Sequence, residues 1–171
     1  IKSRKMINET TQVAIIMGSD SDLPIVEAAF PILENFGIKF TKNVMSAHRT
    51  PHDVMELITD SEKNGCKVFI AAAGMAAHLA GAVAAHSTKP VIGIPIESGG
   101  MGGIDSLLST AMMPPGVPVA TVAVGKSGAK NSAILAVQIL ATSDDDLARK
   151  LKDYKENMRT EVLEKDKKLN S

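Results

Sequence analysis

The amino-acid sequence predicts an α/β fold, in which a parallel sheet of about five strands carries helices on both faces. Short apolar segments alternate along the chain with helical segments of roughly 10–20 residues, as parallel strands joined by helical crossovers require. At 171 residues, with 44% hydrophobic and 22% charged residues, the chain has the size and composition of one globular domain. No apolar segment approaches the roughly 18–20 residues of a membrane-spanning helix.

The first half of the chain contains two strand–helix units. VAIIM is a short apolar segment typical of a buried parallel strand, and IKFTKNVM is the second strand. Between them, Asp20 or Ser21 can cap a helix whose apolar residues recur at helical spacing until Gly37. After the second strand, Thr50 and Pro51 begin a helix, because proline is favoured in the first helical turn.

Three further strands are predicted in the second half, namely KVFIAAA, PVIGIPI and GVPVATVAV. The Ala-rich segment 74–88 is predicted as a tightly packed helix, and residues 97–103, ESGGMGG, as a flexible connection. A helix in GIDSLLSTAM stops at Pro114, and SGAKNSAILAVQILAT forms another. Ser143 is expected to cap the last helix, which has acidic residues in its first turn. The apolar stripe of that helix consists of Leu147, Leu151, Tyr154, Met158 and Val162.

Composition and charge limit the partners and surroundings of this domain. We expect residues 1–12 to form a flexible polar arm without the apolar core of a signal peptide, residues 13–165 the α/β domain, and residues 166–171 a tail. Lys plus Arg and Asp plus Glu balance at 19 each, which disfavours nucleic acid and favours a small ligand. The single cysteine, Cys66, is expected to be buried and unreactive, which fits a reducing cytoplasm.

Polar or glycine-rich segments follow all five predicted strands: GSDSD, SAHRTP, AAGMAAH, ESGGMGG and VGKSGAKN. Because the carboxyl ends of parallel strands meet at one edge of the sheet, ligands of such folds bind there. The sequence therefore predicts a ligand site at this edge. ESGGMGG is either a loose surface crossover or a glycine loop that approaches or closes over a ligand, and the sequence does not separate the two.

GSDSD and SAHRTP contain groups that suit a sugar phosphate. Ser19 can donate to a phosphate and Asp22 can accept from ribose hydroxyls, although both residue types are also ordinary helix caps. Arg49 offers a planar set of donors beside a helix N-terminus, where phosphate is favoured; the alternative is an exposed arginine paired with a carboxylate. Neither a G-x-G-x-x-G fingerprint nor a G-x-x-x-x-G-K-[ST] loop occurs in the sequence.

The histidines are the candidates for proton transfer. His48 can act as a general acid–base group, because imidazole titrates near neutrality, or it can be a solvated loop residue. His78 can pack within a helix, orient a neighbouring group or line the same pocket. His52 and His86 are expected at surface or helix positions. No H-E-x-x-H motif and no cysteine cluster is present, so we expect no metal site.

Six segments in this order resemble the 5-(carboxyamino)imidazole ribonucleotide mutase family of purine biosynthesis, over roughly residues 13–160: MGSDSD, SAHRTP, AAGMAAHLAG, GIDSLLS, MPPGVPVATVAV and NSAILAVQILA. The resemblance implies a flavodoxin-like, three-layer αβα domain with a C-terminal helix, assembled as a cytoplasmic homo-octamer. It implies an enzyme that moves a carboxylate from an exocyclic nitrogen to a ring carbon of an aminoimidazole ribonucleotide, without cofactor or metal. In the implied mechanism carbon dioxide leaves the nitrogen, stays trapped and is attacked by the ring carbon, while a histidine shuttles the proton.

The resemblance also implies roles for individual residues. His48 matches the catalytic histidine of the family. Gly74, Ala76 and His78 match the loop that faces the imidazole and the carboxylate. The remaining matches are Ser19 and Asp22, which bind substrate, and Ser46 and Arg49, on the phosphate side.

Two positions depart from the family pattern. Met75 replaces the second glycine of a Gly-Gly pair, and Ala80 replaces the proline of a His-Leu-Pro-Gly motif. A methionine is expected to follow the backbone path of that glycine only if φ is negative there, so this replacement bears on the shape of the pocket.

Two alternative functions remain open. A related subfamily carboxylates aminoimidazole ribonucleotide directly from carbon dioxide; it typically has lysine at the position of Arg49 and lacks the AAHL element, so the residues here favour the mutase. A non-catalytic nucleotide-binding module would use the same edge of the sheet and would not need His48.

Overall fold

A parallel sheet of five strands forms the centre of the molecule. The computed structural model describes residues 10–171, so most of the predicted N-terminal arm lies outside the described residues. The strands are β1 (Val13–Met17), β2 (Phe40–Val44), β3 (Val68–Gly74), β4 (Val91–Ile96) and β5 (Ala120–Thr121). Their order is β2-β1-β3-β4-β5, and every pairing is parallel. The predicted α/β class with about five parallel strands is confirmed, and the winding reverses between β1 and β3, where such folds open a ligand crevice.

Helices cover both faces of this sheet. They are α1 (Leu23–Val26), α2 (Phe30–Asn35), α3 (Pro51–Lys63), α4 (Leu79–His86), α5 (Ile104–Ala111), α6 (Lys126–Ala141) and α7 (Asp145–Leu169). Alternate residues of β1 enter two separate hydrophobic clusters, because successive side chains of a strand point to opposite faces. Ile15 packs in the cluster that includes α2, α6 and the start of α7, whereas Ile16 packs with α3 and α4. The predicted three-layer arrangement follows from these two clusters.

The helix predicted after β1 is divided. Two turns of 3₁₀-helix, Asp20–Asp22 and Glu27–Ala29, precede α1 and α2 respectively. The second turn is tighter because Pro31 has no N–H to donate to the carbonyl of Glu27 and its ring disfavours the α-helical path there. The cap is also one residue earlier than predicted: Ser19 is the N-cap residue, and its hydroxyl accepts from the N–H of Ser21, to which the Asp20 carboxylate also binds.

The later helices begin at residues other than those predicted. The Ala-rich helix begins at Leu79 rather than near residue 74, because Gly74 still belongs to β3 and Met75 has a left-handed φ of 54°. The cap of α7 is Asp144 rather than Ser143: the Asp144 carboxylate accepts from two N–H groups of the first turn. α7 ends at Leu169, so most of the segment predicted as a tail is helical.

The fifth strand is much shorter than predicted. Only Ala120 and Thr121 pair with β4, whereas the apolar segment GVPVATVAV predicted a longer strand. On β4, the carbonyls of Gly93 and Pro95 face the segment that follows β5. They accept from the N–H groups of Val122 and Gly125. Because Pro95 has no N–H, β4 cannot donate at that point and the regular ladder ends.

Cys66 is 1% exposed, and burial raises the pKa of its thiol to about 11, as expected for an unreactive cysteine. In α7, Leu147 is buried and Tyr154 packs against the core, but Met158 and Val162 are exposed, so only the first half of the predicted stripe contacts the domain.

Within residues 10–171, no helix combines the length and apolar composition needed to cross a lipid bilayer.

Candidate active site

A cavity of about 610 Å³ lies at the carboxyl ends of β1 to β4. It is lined by all eight residues that the sequence analysis selected: Ser19, Asp22, Ser46, His48, Arg49, Gly74, Ala76 and His78. These residues come from three separate loops that the parallel sheet brings to one edge. A smaller cavity of about 310 Å³ near the start of β2 is lined by residues such as Thr11 and Lys42 and contains none of them.

The loop after β1 brings two hydroxyls and a carboxylate to this cavity. Asp22 is only 5% exposed, and its carboxylate accepts from the N–H of Ser19 at 3.1 Å, while Ser19 in turn caps the 3₁₀ turn. The hydroxyls of Ser19 and Ser21 lie 2.8 Å apart. Burial raises the pKa of Asp22, and the bond from Ser19 opposes this effect. A ligand hydroxyl would give the buried carboxylate a further donor.

The SAHRTP loop is closed by its own hydrogen bonds. The Thr50 hydroxyl accepts from the N–H of Ser46 at 3.0 Å and donates to the Ser46 carbonyl at 3.0 Å. The Ser46 hydroxyl accepts from the N–H of Arg49 at 3.2 Å. Pro51 then begins α3. The loop therefore holds its side chains at a fixed position beside a helix N-terminus.

The Arg49 guanidinium crosses from this loop to the end of β1. It donates to the carbonyl of Gly18 at 3.3 Å. Among residues 10–171, no carboxylate lies within 4.0 Å of it, so the alternative of a surface ion pair does not hold for the described residues. The remaining N–H groups of this permanently charged fork are available to an anion in the cavity.

His48 and His78 form a hydrogen-bonded pair in the same cavity. The Nε2 atom of His48 lies 2.8 Å from the Nδ1 atom of His78, and the ring planes are inclined at 72°. One nitrogen must carry a proton and the other a lone pair, so the contact holds one proton between two imidazoles. Of the positions considered for His78, the structure places it at the cavity wall, in contact with His48.

Met75 is the one non-glycine residue with a positive φ in the part of the chain that the structure describes. Its φ is 54° rather than negative, so the methionine adopts the left-handed conformation that glycine occupies at little cost. The side chain is 61% exposed at the cavity wall. Ala80, the other departure, is buried in α4 and packs in the core.

Sequence reasoning missed Ser21 and Ser98, which also line the cavity. Ser98 follows β4 and belongs to the glycine-rich segment that the sequence left undecided. The available signal was its position directly after a strand, at the edge where ligands bind. Within the described residues, no group of three or more His, Cys, Asp or Glu side chains is arranged to hold a metal ion.

The fold and the cavity define a doubly wound α/β protein with a polar, ligand-sized site at the carboxyl edge of its sheet. The chain belongs to the AIR carboxylase family, whose model matches residues 12–161. It is similar to the N5-carboxyaminoimidazole ribonucleotide mutase of Thermotoga maritima, with 51% identity over 158 residues, which are 92% of this chain and 91% of the relative.

Two further comparisons agree. The N5-carboxyaminoimidazole ribonucleotide mutase of Escherichia coli K12 is 46% identical over 157 residues, covering 92% of this chain and 93% of the relative. The crystal structure of Treponema denticola PurE is 30% identical and matches with a TM-score of 0.84, over 94% of this chain and 99% of that chain. The predicted family and fold are confirmed, and the chain is an enzyme of the isomerase type.

Proposed function

We propose that this enzyme converts 5-(carboxyamino)imidazole ribonucleotide to 5-amino-4-carboxyimidazole ribonucleotide in de novo purine biosynthesis. The observation that supports it most is the hydrogen-bonded pair of His48 and His78 in a cavity that also contains the Arg49 guanidinium, which has no carboxylate partner among residues 10–171. The names of the similar mutases support the same reaction. The proposed ligand is thus a small ribonucleotide.

The proposed roles follow from the chemistry of the lining groups. The Arg49 guanidinium and the hydroxyls of Ser19 and Ser46 bind the phosphate, because charged and neutral donors converge there beside a helix N-terminus. The Asp22 carboxylate accepts from ribose hydroxyls. Gly74 and Ala76 have little or no side chain, so the backbone after β3 can approach the flat imidazole ring.

The proton balance of the reaction suits an imidazole pair. Breaking the N–CO₂⁻ bond requires one proton at the exocyclic nitrogen as carbon dioxide leaves. When the ring carbon attacks the retained carbon dioxide, the new C–C bond forms and the C–H proton must be removed. His48 gives the first proton and takes back the second, so no net proton is exchanged with solvent. His78 binds the far nitrogen of His48 and keeps the reacting nitrogen directed at the substrate.

Replacement of His48 tests this mechanism. The His48→Asn variant should bind the ribonucleotide within a few-fold of wild type but turn over about 10²-fold more slowly or worse, because general acid–base groups typically contribute that much. His52→Asn is the matched control, since His52 is exposed on α3 and does not line the cavity. An unchanged rate in His48→Asn would remove the catalytic assignment and favour a binding module.

The two carboxylation chemistries can be separated with substrate assays. Wild-type enzyme should convert the carboxyamino substrate without added bicarbonate. Efficient carboxylation of aminoimidazole ribonucleotide with bicarbonate, without mutase turnover, would identify a direct carboxylase instead. In either assay Arg49→Ala should raise KM more than it lowers kcat, because a phosphate contact acts equally in the ground and transition states.

We also propose that the enzyme works in the cytoplasm as a homo-octamer, as the family resemblance implies. One face of α5 and its C-cap residue support an association surface: Ile104, Leu108 and Met112 follow at intervals of four residues and are 57%, 53% and 78% exposed. Light scattering at micromolar concentration should give a mass of about eight chains. A stable monomer would contradict the assembly.

A further inference from the structure

We propose that Ser98 is a further substrate-binding residue, whose hydroxyl donates to the carboxylated imidazole end of the ribonucleotide. This inference rests on the proposed mutase function. Ser98 follows β4, and its side chain lines the same cavity as His48 and His78. Through it, the end of a fourth strand and the glycine-rich segment 97–103 reach the site.

Gly74 leaves the space that the Ser98 hydroxyl occupies. A Cβ atom placed on Gly74 would lie 1.7 Å from Ser98 Oγ and 2.9 Å from Ser98 Cβ, far inside van der Waals contact. The register of the sheet fixes this approach, because Gly74 on β3 pairs with Ile96, two residues before Ser98. The glycine therefore does more than expose backbone, since it keeps a hydroxyl of the neighbouring strand end against the cavity wall.

The hydrogen-bonding capacity of Ser98 is unused within residues 10–171. Its hydroxyl has no partner there, although the residue is partly buried. The other two serines selected from the sequence differ, because the hydroxyls of Ser19 and Ser46 already accept from backbone N–H groups of their own loops. Those two hydroxyls shape their loops as well as facing the cavity, whereas the Ser98 hydroxyl can both donate to and accept from a ligand.

Strand order places Ser98 at the heterocycle end of the cavity. The Arg49 guanidinium lies on the carbonyl of Gly18, at the end of β1. β3 and then β4 follow β1 in the sheet, and neighbouring strands are about 4.8 Å apart, so Ser98 lies roughly two strand spacings, about 10 Å, from the proposed phosphate position. A ribonucleotide held by its phosphate at Arg49 extends its carboxylated ring toward Ser98, and a carboxylate is a strong acceptor for O–H.

The test compares Ser98→Ala with Ser109→Ala by calorimetric titration of two ligands. The first ligand is 5-amino-4-carboxyimidazole ribonucleotide, and the second is ribose 5-phosphate, which lacks the ring. Ser109 is the control because its hydroxyl donates to the carbonyl of Asp105 on α5 and does not line the cavity. Ser98→Ala should weaken binding of the ribonucleotide about fivefold to tenfold and leave ribose 5-phosphate unchanged, as expected for one lost hydrogen bond. Ser109→Ala should bind both ligands like wild type.

The outcomes separate this inference from the proposed function. Wild-type enzyme that neither turns over nor binds the ribonucleotide would overturn both. Normal wild-type binding with no loss in Ser98→Ala would overturn the role of Ser98 alone, and so would an equal loss for both ligands, which would place the hydroxyl at the phosphate. The melting temperature of Ser98→Ala should equal that of wild type, because no protein hydrogen bond is removed; a large drop would show that the serine is structural.

Discussion

Replacing Met75 by glycine should stabilise the enzyme, although the change removes a side chain. A left-handed backbone costs an L-residue about 1–2 kcal/mol, and Met75 has a φ of 54°. Glycine avoids this cost but adds roughly 0.5–1 kcal/mol of chain entropy in the unfolded state. The side chain is 61% exposed, so its removal costs little burial. The net gain is about 0.5–1 kcal/mol, which for a chain of this length raises the melting temperature by about 1–4 °C.

Alanine variants isolate the backbone contribution in this prediction. Met75→Ala also removes the side chain but keeps the left-handed φ, so it should be less stable than Met75→Gly by about 1 kcal/mol. At the neighbouring position φ is not positive, and Ala76→Gly should therefore be destabilising. Thermal and urea unfolding at one fixed protein concentration would measure all three, because an oligomer melts at a concentration-dependent temperature. If Met75→Gly is no more stable than Met75→Ala, the argument from strain is wrong.

Two acidic residues give further predictions. Burial raises the pKa of Asp22 above its ordinary value of 3.8, so the folded state holds the proton more tightly and stability falls as pH rises through the folded pKa. Asp22→Asn keeps an acceptor for the Ser19 N–H but cannot ionise. Its free energy of unfolding in urea should therefore fall less between acid and neutral pH than that of wild type. Its affinity for the ribonucleotide should fall about 10–100-fold. Asp144→Ala should cost about 1 kcal/mol in the same unfolding assay because it removes the α7 cap, whereas Ser143→Ala should cost much less; equal losses would contradict the assignment of the cap.

Local signals in the sequence were sufficient for most of the fold. Pro51 marks the first residue of α3, and Gly37 follows the last turn of α2 with a φ of 76°, as their backbone preferences predict. The predictions that were wrong depended on contacts with other parts of the chain or on the steric effect of a single proline. β5 ends early because Pro95, on another strand, cannot donate to it, and the first helix divides because Pro31 meets the carbonyl of Glu27.

The residues of the site could be predicted better than their geometry. Because parallel strands end at one edge, GSDSD, SAHRTP and AAGMAAH had to meet there, and their polar residues do line one cavity. The sequence could not show that His48 and His78, thirty positions apart, share a hydrogen bond. It also could not select Ser98, because a serine beside glycines has no periodic pattern, and its position against the cavity depends on Gly74 of another strand.

Two features that cost stability lie at the cavity. Asp22 is a carboxylate that burial disfavours, and Met75 holds a backbone conformation that glycine would adopt more readily. Both lie at the carboxyl edge, whereas the two clusters on either side of β1 consist of buried hydrophobic residues. Packing in the core can maintain such strained groups at the edge of the sheet. They favour ligand binding only if the bound ligand relieves their cost. Asp22 fits this requirement, because a ribose hydroxyl would give its buried carboxylate a second donor beside the N–H of Ser19.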